Sequence, residues 1–112
     1  VDRKKDIVKS GGENVSSVKV ESCILACEGV ANVGVIGLPH EHWGEAVTAV
    51  VSRKPDAQLD EQAIIAHCKT QLGGFETPKR VIILEQLPMT ATGKVKKHLL
   101  RQEYADLFAG AS

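Results

Sequence analysis

The chain has 112 residues, of which 43% are hydrophobic and 25% charged, and its formal net charge is zero. That length makes one small domain, able to bury roughly 65% of its unfolded surface in a single modest core. Zero net charge argues against a dedicated nucleic-acid binder, and no apolar run is long enough to span a bilayer as a helix.

Ile7 to Lys9 and Asn14 to Val15 are short extended pieces around Gly11-Gly12, a pattern that predicts a small hairpin. Ser16 or Ser17 caps a helix expected to run to about Glu28, with Val20, Cys23, Ile24 and Cys27 as its apolar stripe and Gly29 at its end. Val30 to Leu38 reads as a strand stopped by Pro39, followed by a polar loop, His40-Glu41-His42. Glu45 to Arg53 is a second strand, apolar enough to be central in a sheet. After a turn at Pro55 to Gln58, Asp60 caps a second helix from Glu61 to about Leu72, with Ala63, Ile64, Cys68 and Leu72 facing inward. Gly73-Gly74 breaks it, Lys79 to Leu84 forms a third strand, and a loop leads to a third helix, Val95 to about Phe108. The order predicts an α+β domain: a small hairpin plus a three-stranded β-sheet with helices packed on it. Cys23, Cys27 and Cys68 are odd in number and lie in apolar helical patterns, as reduced core thiols of a cytoplasmic protein would. Val1 stands where a complete chain would carry methionine, as expected of a piece of something larger.

From Lys79 to Arg101 the chain has six Lys or Arg and one acid, Glu85. Such a face attracts phosphate-bearing ligands without any net charge. Within it, Pro88-Met89-Thr90-Ala91-Thr92-Gly93-Lys94 puts a single cation on a loop just before a helical pattern. A tethered cation suits a reaction that develops negative charge on phosphate or carboxylate oxygens; a lysine at the start of an amphipathic helix is the plainer reading. The segment is no P-loop: residue 88, where the first glycine would stand, is proline, and Val95 follows the lysine instead of Ser or Thr. Thr90 or Thr92 is expected to cap the following helix, and Lys96, Lys97 and Arg101 are expected on its solvated face. His40 and His42 have weak spacing and no further evident ligand, so no metal site is assigned.

Two motifs together resemble the C-terminal domain of the adenylate-forming enzymes, the superfamily of acyl-CoA synthetases, luciferases and peptide-synthetase adenylation domains. The first is Asp-Arg-x-x-Asp-x-x-Lys over Asp2 to Lys9, leading into Gly11-Gly12. The second is Pro-x-Thr-x-x-Gly-Lys-x-x-Lys over Pro88 to Lys97. The likeness covers nearly the whole chain, and Ser-Gly-Gly-Glu-Asn at Ser10 to Asn14, followed by Val20-Glu21, looks most like ligases joining fatty and related carboxylic acids to CoA. The resemblance implies one mobile C-terminal domain over residues 1–112, with the N-terminal adenylation domain absent, and no activity from this piece alone. The implied substrates are a carboxylic acid, ATP and CoA, with Mg2+ accompanying ATP in the full enzyme and not bound here.

The same resemblance assigns roles. Lys94 matches the catalytic lysine of adenylate formation and Gly93 the glycine beside it. Lys5 matches the hinge about which the domain rotates between half-reactions. Gly11 and Gly12 match glycines beside the pantetheine arm of CoA, and a plain tight turn is the other reading. Lys9 matches a position facing the site in the second pose. Trp43, before Gly44-Glu45, matches an aromatic that packs on CoA, or else it caps the core edge. Glu76 in Phe75-Glu76-Thr77-Pro78 departs from the family's usual lysine, which weakens a phosphate role for that turn. Two alternatives stay open: an adenylating enzyme that passes its acyl group to a carrier-protein thiol or to oxygen, and a non-catalytic α+β interaction module.

Overall fold

The second long apolar run organises the domain. Residues 7–42, 44–74 and 76–107 are described in this computed structural model. They form, in chain order, β1 (Ile7–Ser10), β2 (Glu13–Ser16), α1 (Ser17–Leu25), β3 (Val30–His40), β4 (Gly44–Arg53), α2 (Glu61–Gln71), β5 (Arg80–Leu84) and α3 (Lys97–Glu103). Every residue of β4 from Ala46 to Ser52 is buried, because helices cover both faces of the sheet. Strand β3 pairs antiparallel with β4 over nearly its full length, and β5 pairs parallel with it from Thr48 to Ser52. The parallel pair needs the α2 crossover between them. The expected hairpin and three-stranded sheet are thus present, and among the described residues one pairing, Ser10 with Gly44, joins the hairpin to the sheet.

Alternation along β3 and β4 sends side chains to two cores. Val33, Val35, Val47, Ala49 and Val51 meet Val20 and Ile24 of α1 and Ile64 and Cys68 of α2. Ile36, Leu38, Ala46 and Val50 meet Leu87 and Leu100 on the other face, under α3. Each fully buried large side chain in such a core contributes about 1.5–3 kcal/mol relative to exposure, which anchors these helices despite their short length.

The predicted caps form: Ser16 Oγ accepts from Lys19 N (3.3 Å) and Asp60 Oδ1 from Ala63 N (2.7 Å). Beyond one-residue shifts, the bounds of three elements and the facing of one residue change. Helix α1 ends at Leu25 and not Glu28, since Ala26 and Cys27 donate to carbonyls only three residues back, tightening the last turn. Strand β3 runs through Pro39 to His40, because it lies at the end of the strand order, where a missing N–H can face away from the ladder. Helix α3 starts at Lys97, since the backbones of Val95 and Lys96 are committed to the preceding loop, and it ends at Glu103, where Tyr104 leaves the helical region at φ −110° and ψ 16°. Ala63 is exposed, leaving Ile64 and Cys68 as the buried stripe of α2.

Candidate active site

Lys94 is presented by a short hairpin between β5 and α3. Met89 and Val95 pair across its base. Thr90 N–H donates to Lys94 O at 2.7 Å, Gly93 N–H to Thr90 O at 3.0 Å, and Lys96 N–H to Pro88 O at 2.7 Å. Gly93 has φ 88°, completing a turn through Ala91 and Thr92 with a left-handed residue. A Cβ there would meet nothing within 4 Å, so the backbone angle, not crowding, calls for glycine. Thr90 Oγ1 accepts from Lys94 N (3.1 Å) and bonds Thr92 Oγ1 (2.9 Å). The threonines therefore brace the loop and do not cap α3, whose first turn has no side-chain cap. Lys94 is exposed at the end of this braced loop.

The loop borders an open groove of about 960 Å³ whose opposite side is formed by Ile7 and Val8 of β1 and by Glu45. Lys94, Lys96 and Arg101 line its basic side. The floor is β3, where Gly34 lets the loop base lie close: a Cβ at Gly34 would come within 2.9 Å of Val95 Cγ1. Gly37, three residues on and on the other face, does the same for the hairpin, its Cβ falling 2.9 Å from Val8 Cγ1 and 3.0 Å from Glu45 Oε1.

Gly11 (φ 60°) and Gly12 (φ 84°) form the two-residue turn between β1 and β2. Both positive angles are what a type I′ hairpin demands, and a Cβ at Gly12 would enter open space. The tip glycines are not part of the groove lining, so the structure brings the lysine loop to the base of the hairpin and not to its tip. Lys9 is exposed, and its backbone N–H donates to Glu45 Oε1 at 2.8 Å. Lys5 and Trp43 lie outside the described residues, as does Phe75.

Three charged residues have structural tasks that depend on partners distant in sequence. Glu76 is nearly buried, pairs with Lys19 Nζ at 2.9 Å and accepts from Gly73 N at 3.0 Å. The Lys19 hydrogen bond, then the Gly73 amide, holds its carboxyl below the usual range. Arg80 donates to Glu61 Oε2 at 2.8 Å, which ties the start of β5 to the start of α2. Lys97 is not on a solvated face: its Nζ lies 2.7 Å from Glu21 Oε2 and 3.3 Å from Ser17 Oγ. The available signal was spacing, since Glu21 falls four residues after buried Ser17 and so on the inner side of α1. The three cysteines are free thiols. Burial, then the neighbouring Cys23, pushes Cys68 up to about 12, which makes it inert as a nucleophile. Among the described residues no three His, Cys, Asp or Glu come together to hold a metal ion, and no helix is long and apolar enough to cross a membrane.

A two-core α+β domain that mounts one exposed lysine on a braced loop beside a basic groove defines the class. Residues 19–94 match the family described as the AMP-binding enzyme C-terminal domain, and the chain belongs to that family. It is 50% identical to the peroxisomal trans-cinnamate:CoA ligase of Petunia hybrida over 90% of this chain and 18% of that protein. It is 44% identical to the long-chain-fatty-acid–CoA ligase FadD13 of Mycobacterium tuberculosis over 93% of this chain and 20% of that protein. The ATP-bound structure of MatB from Rhodopseudomonas palustris superposes with a TM-score of 0.89 at 43% identity, covering 94% of this chain and 21% of that one. The chain thus spans about a fifth of the length of the relatives it matches.

Proposed function

We propose that this domain serves an AMP-forming ligase that joins a carboxylic acid to CoA, with Lys94 acting in the first half-reaction. In that step a carboxylate oxygen attacks the α-phosphorus of ATP, the bond to pyrophosphate breaks, and an acyl-adenylate forms. Negative charge builds on the phosphate oxygens while two anions are brought together. The Lys94 ammonium, a compact charge on a flexible stem, offsets it from outside the pocket. In the second step the CoA thiolate attacks the acyl carbon and AMP leaves.

The carrying observation is the placement of Lys94: one exposed ammonium on a loop cross-braced by Thr90 and closed at its base by Met89 and Val95. The ATP and acyl pockets, with Mg2+ accompanying ATP, belong to a preceding domain of the full enzyme. Lys5 is the hinge that swings this domain between steps. Gly11 and Gly12 then carry a side-chain-free turn past the pantetheine arm, with Lys9 and Trp43 beside it. Similarity to two CoA ligases over nearly the whole chain favours this reading over a carrier-protein acceptor and over a non-catalytic module. The free thiols fit a reducing compartment, and we assign the enzyme to the cytoplasm. The test is to measure the two half-reactions separately in the full-length enzyme: pyrophosphate exchange with ATP, and thioester formation from a supplied acyl-adenylate. Lys94→Ala removes the first and spares the second if the assignment holds.

A further inference from the structure

The start of α3 is not held by its own sequence. The helix is seven residues long, its N-cap is Lys96, and no side chain caps its first turn. Yet this turn follows Lys94 directly, so its position sets where the ammonium points. Lys97, the first residue of the helix, is instead anchored from outside it, by α1. Its Nζ lies 2.7 Å from Glu21 Oε2 on α1 and 3.3 Å from Ser17 Oγ. The same carboxylate oxygen accepts the backbone N–H of Val35 at 2.9 Å. Strand β3 is the last in the strand order, so Glu21 also occupies a main-chain donor on that edge. One oxygen thus ties α1, the sheet edge and the foot of the lysine loop together.

An exposed ion pair would contribute little to such a junction. Here the side chains of Lys97 and Glu21 are only 19% and 18% exposed. A pair that is partly withdrawn from water, and shared with a backbone amide, is screened less and directed more. Removing one partner leaves the other charge half-buried and uncompensated. The three residues from Lys97 back to Lys94 then carry any shift to the reacting ammonium.

We propose that Glu21 and Lys97 form a positioning pair that fixes the foot of the Lys94 loop to the sheet edge, and that adenylation depends on this pair while thioester formation does not. The inference rests on the role of Lys94 proposed above. Neither residue touches substrate in it; both act through Lys94. A displacement of about 1 Å at a reacting group can lower a rate by about 100-fold, so a loosened foot is felt in the first half-reaction alone.

The test uses the full-length ligase that carries this domain. Glu21→Gln keeps an acceptor for Val35 N–H but removes the charge facing Lys97. Lys97→Met removes the cation, and Lys97→Arg restores it. Ile24→Val, in the same helix, weakens the core without touching the pair. Two readouts are taken: the ratio of adenylation to thioester rates, and deuterium uptake of the peptide spanning residues 88–97. Glu21→Gln and Lys97→Met are expected to raise uptake across 88–97 and to lower the rate ratio by about 10- to 100-fold. Lys97→Arg should return both towards wild type, and Ile24→Val should leave the ratio unchanged. Unchanged uptake in both Glu21→Gln and Lys97→Met overturns the positioning pair whatever Lys94 does. An equal loss in both half-reactions, matched by Ile24→Val, also overturns it by reducing the pair to general stability. If uptake rises as expected but Lys94→Ala leaves adenylation intact, the reading of Lys94 fails, and with it the catalytic half of the proposal.

Discussion

Strand β3 carries two glycines, each admitting one of the two loops on its own face, and a matched pair of substitutions can exploit this. A Cβ at Gly34 would sit 2.9 Å from Val95 Cγ1 and 3.4 Å from Leu100 Cδ1, on the lysine-loop face. A Cβ at Gly37 would sit 2.9 Å from Val8 Cγ1 and 3.0 Å from Glu45 Oε1, on the hairpin face. Carbon atoms in favourable contact lie about 3.5–4.0 Å apart, so each alanine must displace its neighbour by about 0.6–1.1 Å. Val95 is β-branched and stiff at χ1, and it sits in the base of the Lys94 hairpin, so the loop moves with it. Overpacking of this kind costs about 1–3 kcal/mol. Near 112 residues each kcal/mol lowers Tm by about 4 °C, so both variants should melt about 4–12 °C lower. Their catalytic effects should differ in kind. Gly34→Ala should depress pyrophosphate exchange by about 10- to 100-fold and leave thioester formation from supplied acyl-adenylate nearly intact. Gly37→Ala should do the reverse, since it pushes on the foot of the hairpin. Both rates are measured on the full-length enzyme, with calorimetry for the Tm. Equal losses in both half-reactions for both variants would refute the idea that the faces of β3 serve separate steps.

Other outcomes follow from single sites. Gly12→Leu is a poor probe of the pantetheine path because φ 84° strains any β-carbon. Gly11→Asn is better, since asparagine suits the first position of a type I′ turn; it should raise the Michaelis constant for CoA several-fold with little change in Tm, and unchanged CoA kinetics would remove the turn from the CoA path. Glu76 has its carboxyl depressed by Lys19 and the Gly73 amide. Its stabilisation is therefore complete above the unfolded value near 4.5 and is lost as pH falls through the lower folded value. Glu76→Gln should lower Tm at about pH 7, and the gap to wild type should close on acidification; a gap independent of pH would contradict the pairing. Cys68, pushed up to about 12 by burial and the Cys23 thiol, should resist iodoacetamide at about pH 8 in the folded protein and react on unfolding; rapid labelling in the native state would disprove its burial.

Much of this arrangement was legible in the residues, for definite reasons. Gly11-Gly12 between two short extended pieces can form few structures other than the two-residue turn observed. The run from Ala46 to Ser52 has the apolar continuity of a strand covered on both faces. What the sequence hid were interactions between distant segments. Pro39 reads as a stop, yet at a sheet edge it costs no ladder bond, so β3 continues. Thr90 and Thr92 have the composition of a helix cap, but the adjacent turn offers Lys94 N–H at shorter range. Lys97 looks solvated by helical spacing, and only the approach of α1 brings Glu21 to it. Glu76, read as a departure from the family's lysine, proves to be half of a pair whose cation, Lys19, comes from α1.

The most direct test is Lys94→Ala in the full-length enzyme, assayed by half-reaction. Adenylate formation should fall by at least about 10²–10³, the cost of losing one contact to transition-state charge. Thioester formation from supplied acyl-adenylate should stay within about twofold of wild type. Equal losses in the two steps, or adenylation at the wild-type rate, would contradict the assignment of Lys94.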